Sequence, residues 1–483
     1  MRYKMSLWRS VDWITIILYL FMVVGGWLSI CGASYEFDSV GLFDPDGRPG
    51  SQLLWIASST VLIFVIMMLE SDFYDIFAYL FYAAVMVLLV ATIFLAPDIK
   101  GSHSWLVYGP FRIQPAEFAK FATALALAKL ISEYGFKLSA PKYIALSLFF
   151  IFLPMVLILL QNETGTALVF FAFLLVLYRE GMTGYILLVG LCAVVYFVTG
   201  MKYAEDVIGI TPAGELAVSC IILAVTTALT AYKGKNSYPV YVILIGIASA
   251  FALAGIVSFF YPLNFAYVAM GLVVAVSIWL VAYSLKKWVW HYALIALFSL
   301  FSLAFLFSTD YVFDKVLEPH QQVRIRVSLG LEDDPGGAGY NVNQSKIAIG
   351  SGGFAGKGFL NGTQTKLKYV PEQDTDFIFC TIGEEQGFLG AAGVLILFAV
   401  FILRLIFLAE KQNNVFKRVY GYSIISIFIF HLAINIGMVL GLTPVIGIPL
   451  PFFSYGGSSL WGFTILLFIF LRLDAARKEL ARI

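Results

Sequence analysis

The sequence predicts an all-α, polytopic helical membrane protein, and three observations carry that prediction. Of the 483 residues, 60% are hydrophobic and only 13% are charged, whereas a soluble domain carries about 25% charged residues. The mean hydropathy is +0.89. Apolar runs of about 20 residues recur from end to end, the length that crosses a hydrocarbon core of about 30 Å. These runs are continuous and lack the period-two alternation of a membrane β-barrel.

In chain order the spans fall at 13–33, 52–69, 74–96, 115–133, 143–160 and 165–178. They continue at 182–200, 215–232, 239–260, 264–284 and 288–308, then at 387–409, 419–440 and 458–474, about fourteen in all. The first follows Arg2, Lys4 and Arg9 and exceeds the apolar region of a cleavable signal, so it reads as a retained span. The fourth opens at Pro115, a residue suited to the first helical position. Between the eleventh and twelfth lies the long polar segment 309–386. It keeps Ile347, Ile349, Phe354, Phe359, Tyr369 and Phe377, residues that disordered segments avoid, and so reads as ordered.

Basic residues assign the two faces. Lys137, Lys142, Arg179, Lys233, Lys235, Lys286, Lys287, Lys411, Lys417 and Arg418 share a side with the N-terminus, as does the tail with Arg472, Arg477, Lys478 and Arg482. The opposite side receives the acidic loop Glu36–Asp46, the loop 97–113 and the segment 309–386. Both termini are therefore expected in the cytoplasm and 309–386 outside. Topology accounts for the basic residues, so the net charge of +1 gives no footprint for nucleic acid. Cys31, Cys192, Cys220 and Cys380 are scattered, without metal-ligand spacing, and read as small packing residues. Three short sequons, at Asn162, Asn343 and Asn361, arise easily by chance.

Several residues could carry chemistry. Asp334 precedes Pro335 and the flexible run Gly336-Gly337-Ala338-Gly339, where backbone can approach a ligand closely. A carboxylate there can accept a hydroxyl proton, or simply cap a turn before proline. Asp333 leaves the register open. Gly350-Ser351-Gly352-Gly353 with Gly356-Lys357-Gly358 departs from the P-loop pattern and reads equally as a pyrophosphate nest or as a flexible turn. Glu117 and Lys120 lie on one helix face. Charges at membrane depth cost about 2.5–3.5 kcal/mol each, so they are paired or functional. His291, His431 and Arg404 are expected to be span-end or bundle-packing residues. The Pro- and Gly-rich stretch from Gly441 through Pro444, Pro449 and Pro451 to Gly457 reads as non-helical backbone walling a cavity.

Together these pieces resemble the SEDS family of bacterial cell-wall polymerases, the RodA/FtsW proteins. The matching elements begin with Arg112-Ile113-Gln114-Pro115-Ala116-Glu117-Phe118-Ala119-Lys120, Gly165-Thr166-Ala167 and His320-Gln321 through Arg324. Asp334-Pro335 to Gly339-Tyr340, Gln344-Ser345-Lys346, Asn361-Gly362-Thr363-Gln364, Pro371-Glu372 and Thr375-Asp376 follow. Gly383-Glu384-Glu385, Asn435-Ile436-Gly437-Met438 and Pro449-Leu450-Pro451 to Ser454-Tyr455-Gly456-Gly457-Ser458 complete the set.

The resemblance implies a peptidoglycan glycosyltransferase that polymerises lipid II in the bacterial inner membrane. Asp334 maps to the family's catalytic Asp, which settles its register and makes it the base for the acceptor's 4-hydroxyl. Undecaprenyl pyrophosphate is then the leaving group. Substrate-binding roles are expected at Arg112, Gln114, Glu117, Lys120, Arg324, Gln344, Ser345, Lys346, Lys357, Glu372, Asp376 and Ser454. No cofactor is implied, and room remains for a divalent cation. Expected partners are a class B penicillin-binding protein supplying the transpeptidase, the elongation machinery and membrane lipid. A lipid flippase and an FtsW-type division polymerase are the competing readings. The whole chain, 1–483, reads as one SEDS-type transmembrane domain, with 309–386 as its catalytic loop. The family's usual span count is about ten, so roughly four extra helices are expected within 182–287. Two further departures are Asn162-Glu163 where Pro-Asp is usual, and Gly337 in place of an apolar residue.

Overall fold

The computed structural model describes residues 7–35, 43–99, 101–109, 111–234, 236–315, 319–331 and 338–480. Asp333, Asp334, Pro335, Gly336 and Gly337 lie outside the described residues, as do Arg2, Lys4, Lys235, Arg482 and the first part of the acidic loop, from Glu36. All fourteen expected spans are helical. They are α1 (Trp13–Ser34), α2 (Arg48–Met68), α3 (Ala78–Leu95), α4 (Pro115–Ser132), α5 (Pro141–Leu159) and α6 (Thr164–Arg179). Then come α7 (Tyr185–Lys202), α8 (Ala213–Lys233), α9 (Tyr238–Ser258), α10 (Phe265–Lys287) and α11 (Trp290–Lys315). The last are α12 (Gly387–Glu410), α13 (Val415–Leu440) and α14 (Gly457–Leu480).

Twelve of these helices are long and apolar enough to cross a membrane among the described residues. The two that differ do so for different reasons. α4 carries Glu117, Lys120 and Lys129, and it survives at the centre of the bundle with most of its length buried. α6 is short, interrupted by a 3-10 turn at Val169–Ala172. The chain is a polytopic helical membrane protein. Two small hairpins qualify the all-α expectation: β1 (Leu106–Tyr108) pairs with β2 (Phe111–Ile113), and β3 (Val207–Ile208) with β4 (Thr211–Pro212). Each is a loop closing on itself, too short for a period-two pattern to appear in the sequence. The segment 309–386 is ordered where described, with helices Pro319–Leu329, Ala338–Ser351, Thr363–Lys366 and Ile378–Glu385.

Backbone contacts divide the chain into two compact units, Met1–Thr183 with Pro335–Ile483, and Gly184–Asp334. In the second unit α8, α10 and α11 pack around Val218, Ile222, Val273, Leu280 and Ala296. A buried hydrogen bond joins the Thr226 and Ser299 hydroxyls at 2.7 Å. In the first unit α4 packs against α3, α5, α13 and α14, and α14 also lines α2. The ring of Phe452 sits 5.1 Å from Tyr19, 5.5 Å from Phe428 and 5.9 Å from Phe463. Its backbone φ is +65°, a conformation costing on the order of 1–2 kcal/mol for a residue with a side chain. The ring's burial in this aromatic cluster offsets that cost. Arg404, expected to snorkel or to pack in the bundle near a span end, forms an ion pair with Asp12, the N-cap of α1. Arg179 and Arg418 likewise pair with Glu410 and Glu180.

Candidate active site

Two close-packed clasps and one buried charge chain build a site on the face of the first unit that carries residues 338–386. The first clasp is the glycine run. A Cβ at Gly352 would fall 2.0 Å from the Gly383 carbonyl oxygen, and one at Gly356 2.2 Å from that of Glu385. Only glycine lets this loop lie flat on the end of helix Ile378–Glu385. There Lys357 N donates to the Glu384 carbonyl at 3.1 Å and Gly358 N to that of Glu385 at 2.8 Å, satisfying carbonyls left open at the helix end.

The Glu384 carboxylate then fills the nest above. It accepts from Lys357 Nζ at 2.7 Å, Gln364 N at 2.8 Å, Thr365 N at 2.9 Å and Thr363 Oγ1 at 3.2 Å. Burial pushes this carboxyl up, but the Lys357 ammonium and the two amide donors outweigh burial and hold it below the usual carboxylate range. The backbone amides of the glycine run thus go to main-chain carbonyls, and the anion that the Lys357 ammonium meets is the protein's own Glu384. Beside it, Glu385 lies against Gly32 of α1 and accepts the Leu360 amide, at 3.1 Å. Burial pushes the Glu385 carboxyl up to about 7, the Leu360 amide opposing and the Glu384 charge adding.

The second clasp is the turn at 371–377. Glu372 has φ +52° and is exposed, and its carbonyl accepts from the amides of Thr375, Asp376 and Phe377. Gln373 Nε2 donates to the carbonyls of Ala33 and Thr365 at 2.6 and 2.7 Å. Asp374, buried, forms an ion pair with Arg48, whose guanidinium stands over the Tyr455 ring at 5.7 Å. Tyr455 N returns a bond to the Asp374 carbonyl at 2.8 Å. Ser454 Oγ donates to Thr375 O at 2.5 Å and accepts from Leu450 N at 2.8 Å. Asn435 Nδ2 bridges the carbonyls of Asp376 and Ile448 at 2.8 and 2.7 Å. The irregular stretch 441–456 is therefore pinned to the turn bearing Glu372 and Asp376, with the Asp376 carboxylate facing Gly447.

Helix Ala338–Ser351 starts just past Asp334 and docks on α13 through Ser345 Oγ, which donates to Val439 O at 2.8 Å. Gln344 is half-buried, and Lys346 is exposed with its ammonium against Gly441. Arg112 is exposed on β2, which packs on α14, and Gln114 is buried at the N-cap position of α4. Glu163 accepts from Ser102 Oγ at 2.8 Å and Ser104 Oγ at 3.0 Å, tying the turn at 162–164 to the loop before β1. Asn162 has φ +59°, a conformation closed to proline. Arg324 is exposed on helix Pro319–Leu329 of the other unit.

Beneath these loops Lys120, fully buried, lies 2.7 Å from Glu117 Oε2 and 3.2 Å from His431 Nε2. Its ammonium stands over the Phe463 ring at 4.6 Å. His431, read from sequence as a snorkelling or bundle-packing residue near a span end, is buried inside α13 and completes this chain. Sequence reasoning also passed over Arg48, Gln373 and Asp374. A signal for His431 was available: it lies one turn before Asn435 on the same helix face, polar at membrane depth like Glu117. Among the described residues no group of three His, Cys, Asp or Glu is placed to hold a metal ion.

Fold and site define a multi-pass membrane protein with a polar, loop-built face over a buried ion pair. The model of the FtsW/RodA/SpoVE family, described as cell cycle protein, matches residues 12–208 and 206–479. The chain belongs to this family, the SEDS proteins. It is 30% identical over 424 residues to peptidoglycan glycosyltransferase RodA of Treponema pallidum (strain Nichols), covering 88% of this chain and 89% of that protein. It is 28% identical over 481 residues to peptidoglycan glycosyltransferase MrdB of Escherichia coli (strain K12), covering 99% and 98%. A chain from the structure "Structural coordination of polymerization and crosslinking by a peptidoglycan synthase complex" shares the fold with a TM-score of 0.62. It is 24% identical, with 97% of this chain and 98% of that chain covered.

The buried pair predicts a separation of stability from activity. Lys120→Met leaves an unpaired carboxylate and should cost about 3–5 kcal/mol, and Glu117→Gln should also destabilise. The double variant should recover much of the melting temperature in detergent yet stay inactive. A double variant with wild-type activity would reduce the pair to a structural element.

Glu385 predicts a pH dependence. Its folded value, about 7 against an ordinary 4.5, means that the folded state holds a proton the unfolded state has released. Stability therefore falls as pH rises from about 4.5 to about 7 and levels off above. Glu385→Gln should remove this slope, gaining roughly 1–3 kcal/mol relative to wild type at pH 8 over pH 5. Melting curves across that range measure it, and parallel curves for the two proteins would refute the assignment.

Proposed function

We propose that this chain polymerises lipid II into β-1,4-linked glycan, as a RodA-type peptidoglycan glycosyltransferase. Nearly whole-length similarity to two relatives carrying that enzyme name is the observation that carries the reading. In this mechanism the Asp334 carboxylate takes the proton from the acceptor sugar's 4-hydroxyl. The oxygen attacks the donor's anomeric carbon from the face opposite the pyrophosphate. The carbon–oxygen bond to undecaprenyl pyrophosphate breaks, the leaving group keeps the electron pair, and the centre inverts.

Cations stabilise that leaving group best where their donors are uncommitted. Lys357 and Lys120 already serve Glu384 and Glu117, so in this reading Arg112 and Lys346, both exposed, are the first candidates for the pyrophosphate. The turn at 371–377 and Ser454 shape the wall beside it. A class B penicillin-binding protein is the proposed partner, since the structural relative belongs to a complex coordinating polymerization and crosslinking.

Asp334→Asn should fold and insert normally but lose about 10²–10⁴ in rate. The assay follows fluorescent lipid II into glycan ladders on a gel. Near-normal ladders from Asp334→Asn, with Asp333→Asn inactive, would move the base to the neighbouring residue. Lipid crossing between leaflets without ladders would replace the polymerase reading with a flippase.

The proposed orientation places both termini in the cytoplasm of a bacterial inner membrane. Cysteines introduced at Lys202 and Asn361 should react with an impermeant thiol reagent in intact cells, and one at Lys235 should not. Labelling at Lys235 or protection at Asn361 would reverse the orientation.

A further inference from the structure

His431 is buried in α13, with its ring edge-on to Phe463 at 4.8 Å. Both of its nitrogens are engaged: Nδ1 lies 3.1 Å from the Pro449 carbonyl oxygen and Nε2 3.2 Å from Lys120 Nζ. A carbonyl oxygen only accepts, so Nδ1 carries the hydrogen and Nε2 presents its lone pair to the ammonium. An ammonium has three donors. Those of Lys120 face Glu117 Oε2, His431 Nε2 and the Phe463 ring. The direction of the Lys120 ammonium, and with it the Glu117 oxygen that it engages, is thus fixed from α13. His431 is in turn fixed by Pro449, within the stretch whose Ser454 and Tyr455 bond to the 374–375 backbone.

We propose that His431 is a positioning residue for the glycosyl-transfer site, transmitting the placement of the 449–455 stretch to the Glu117–Lys120 pair. The proposal deepens the polymerase reading and rests on it. His431 touches no substrate in this account. It works by holding a buried ammonium in one direction, and a misplacement of about 1 Å in such a group can cost about 10²-fold in rate. A ring that only fills space beside Phe463 would be replaced by phenylalanine without loss. A ring needed for its Nε2 acceptor would not.

The test uses the purified full chain with lipid II, in parallel with ¹⁵N spectra of the imidazole. His431→Phe keeps the ring packing and removes the acceptor, and kcat should fall about 10²-fold with KM within about threefold. His431→Gln restores a neutral acceptor and should recover most of that loss. In the unmodified protein the spectrum should show Nδ1 protonated and Nε2 bare, and Lys120→Met should move the Nε2 resonance. Full activity of His431→Phe, or His431→Gln no better than it, would overturn the proposal, as would a rise in KM with kcat unchanged. Ladders from a protein whose Nε2 is protonated would contradict the positioning role alone. An unmodified chain that gives the expected spectrum but no ladders would contradict the polymerase reading, and the positioning role would fall with it.

Discussion

The first unit depends on one constraint: every charge and every irregular stretch of backbone within the bundle must find its partners in the protein. The Glu117–Lys120–His431–Pro449 chain is where that constraint is most demanding. Removing either ion from water costs several kcal/mol, recovered only when the hydrogen bonds are nearly complete. Lys120 meets the condition with a carboxylate, an imidazole and an aromatic face. Because His431 closes the chain on Pro449, a helix-borne ion pair and an unwound loop are held in one arrangement. α4 can therefore sit at the centre of the bundle despite its charges, and the loops above it have a fixed floor.

The same logic operates in the two clasps. Glu384 accepts from the Lys357 ammonium and the Gln364 and Thr365 amides, so the 350–366 loop is closed by a residue of helix Ile378–Glu385. Asp374 and Gln373 tie the ends of α1 and α2 to the turn at 371–377, and Asn435 and Ser454 tie that turn to the 441–456 stretch. The result is a frame of loops and short helices packed against helix Ala338–Ser351. A site that stabilises developing charge works through donors held in advance of the reaction, and a frame of this kind supplies such holding. Glu385 is the soft point, a buried carboxyl whose proton is released near neutral pH within the first clasp.

The spans were legible because length and continuity of apolar residues are local properties. Even α4 was found from its proline and flanking hydrophobic residues, its charges notwithstanding. The hairpins at 106–113 and 207–212 were too short to leave a period. What stayed hidden is pairing at a distance: Lys120 and His431 are 311 positions apart, and Arg48 and Asp374 are 326 apart. Lys357 illustrates the difficulty. Its glycine neighbours read equally as a pyrophosphate nest or a flexible turn, and nothing local indicated that its ammonium would meet Glu384. Asp334 became distinguishable from Asp333 only through the family resemblance, since an Asp before proline is equally a turn residue.

The central proposal is that residue 334 takes the proton of the acceptor sugar in a reaction that also needs Glu117, Lys120 and His431. An experimental structure of the Asp334→Asn variant with lipid II bound tests it most directly. The account predicts the acceptor's 4-hydroxyl within hydrogen-bond distance of the side-chain amide at position 334, with the pyrophosphate toward Arg112 or Lys346. A headgroup seated against a different carboxylate, or a lipid held away from the 338–386 face, would contradict it.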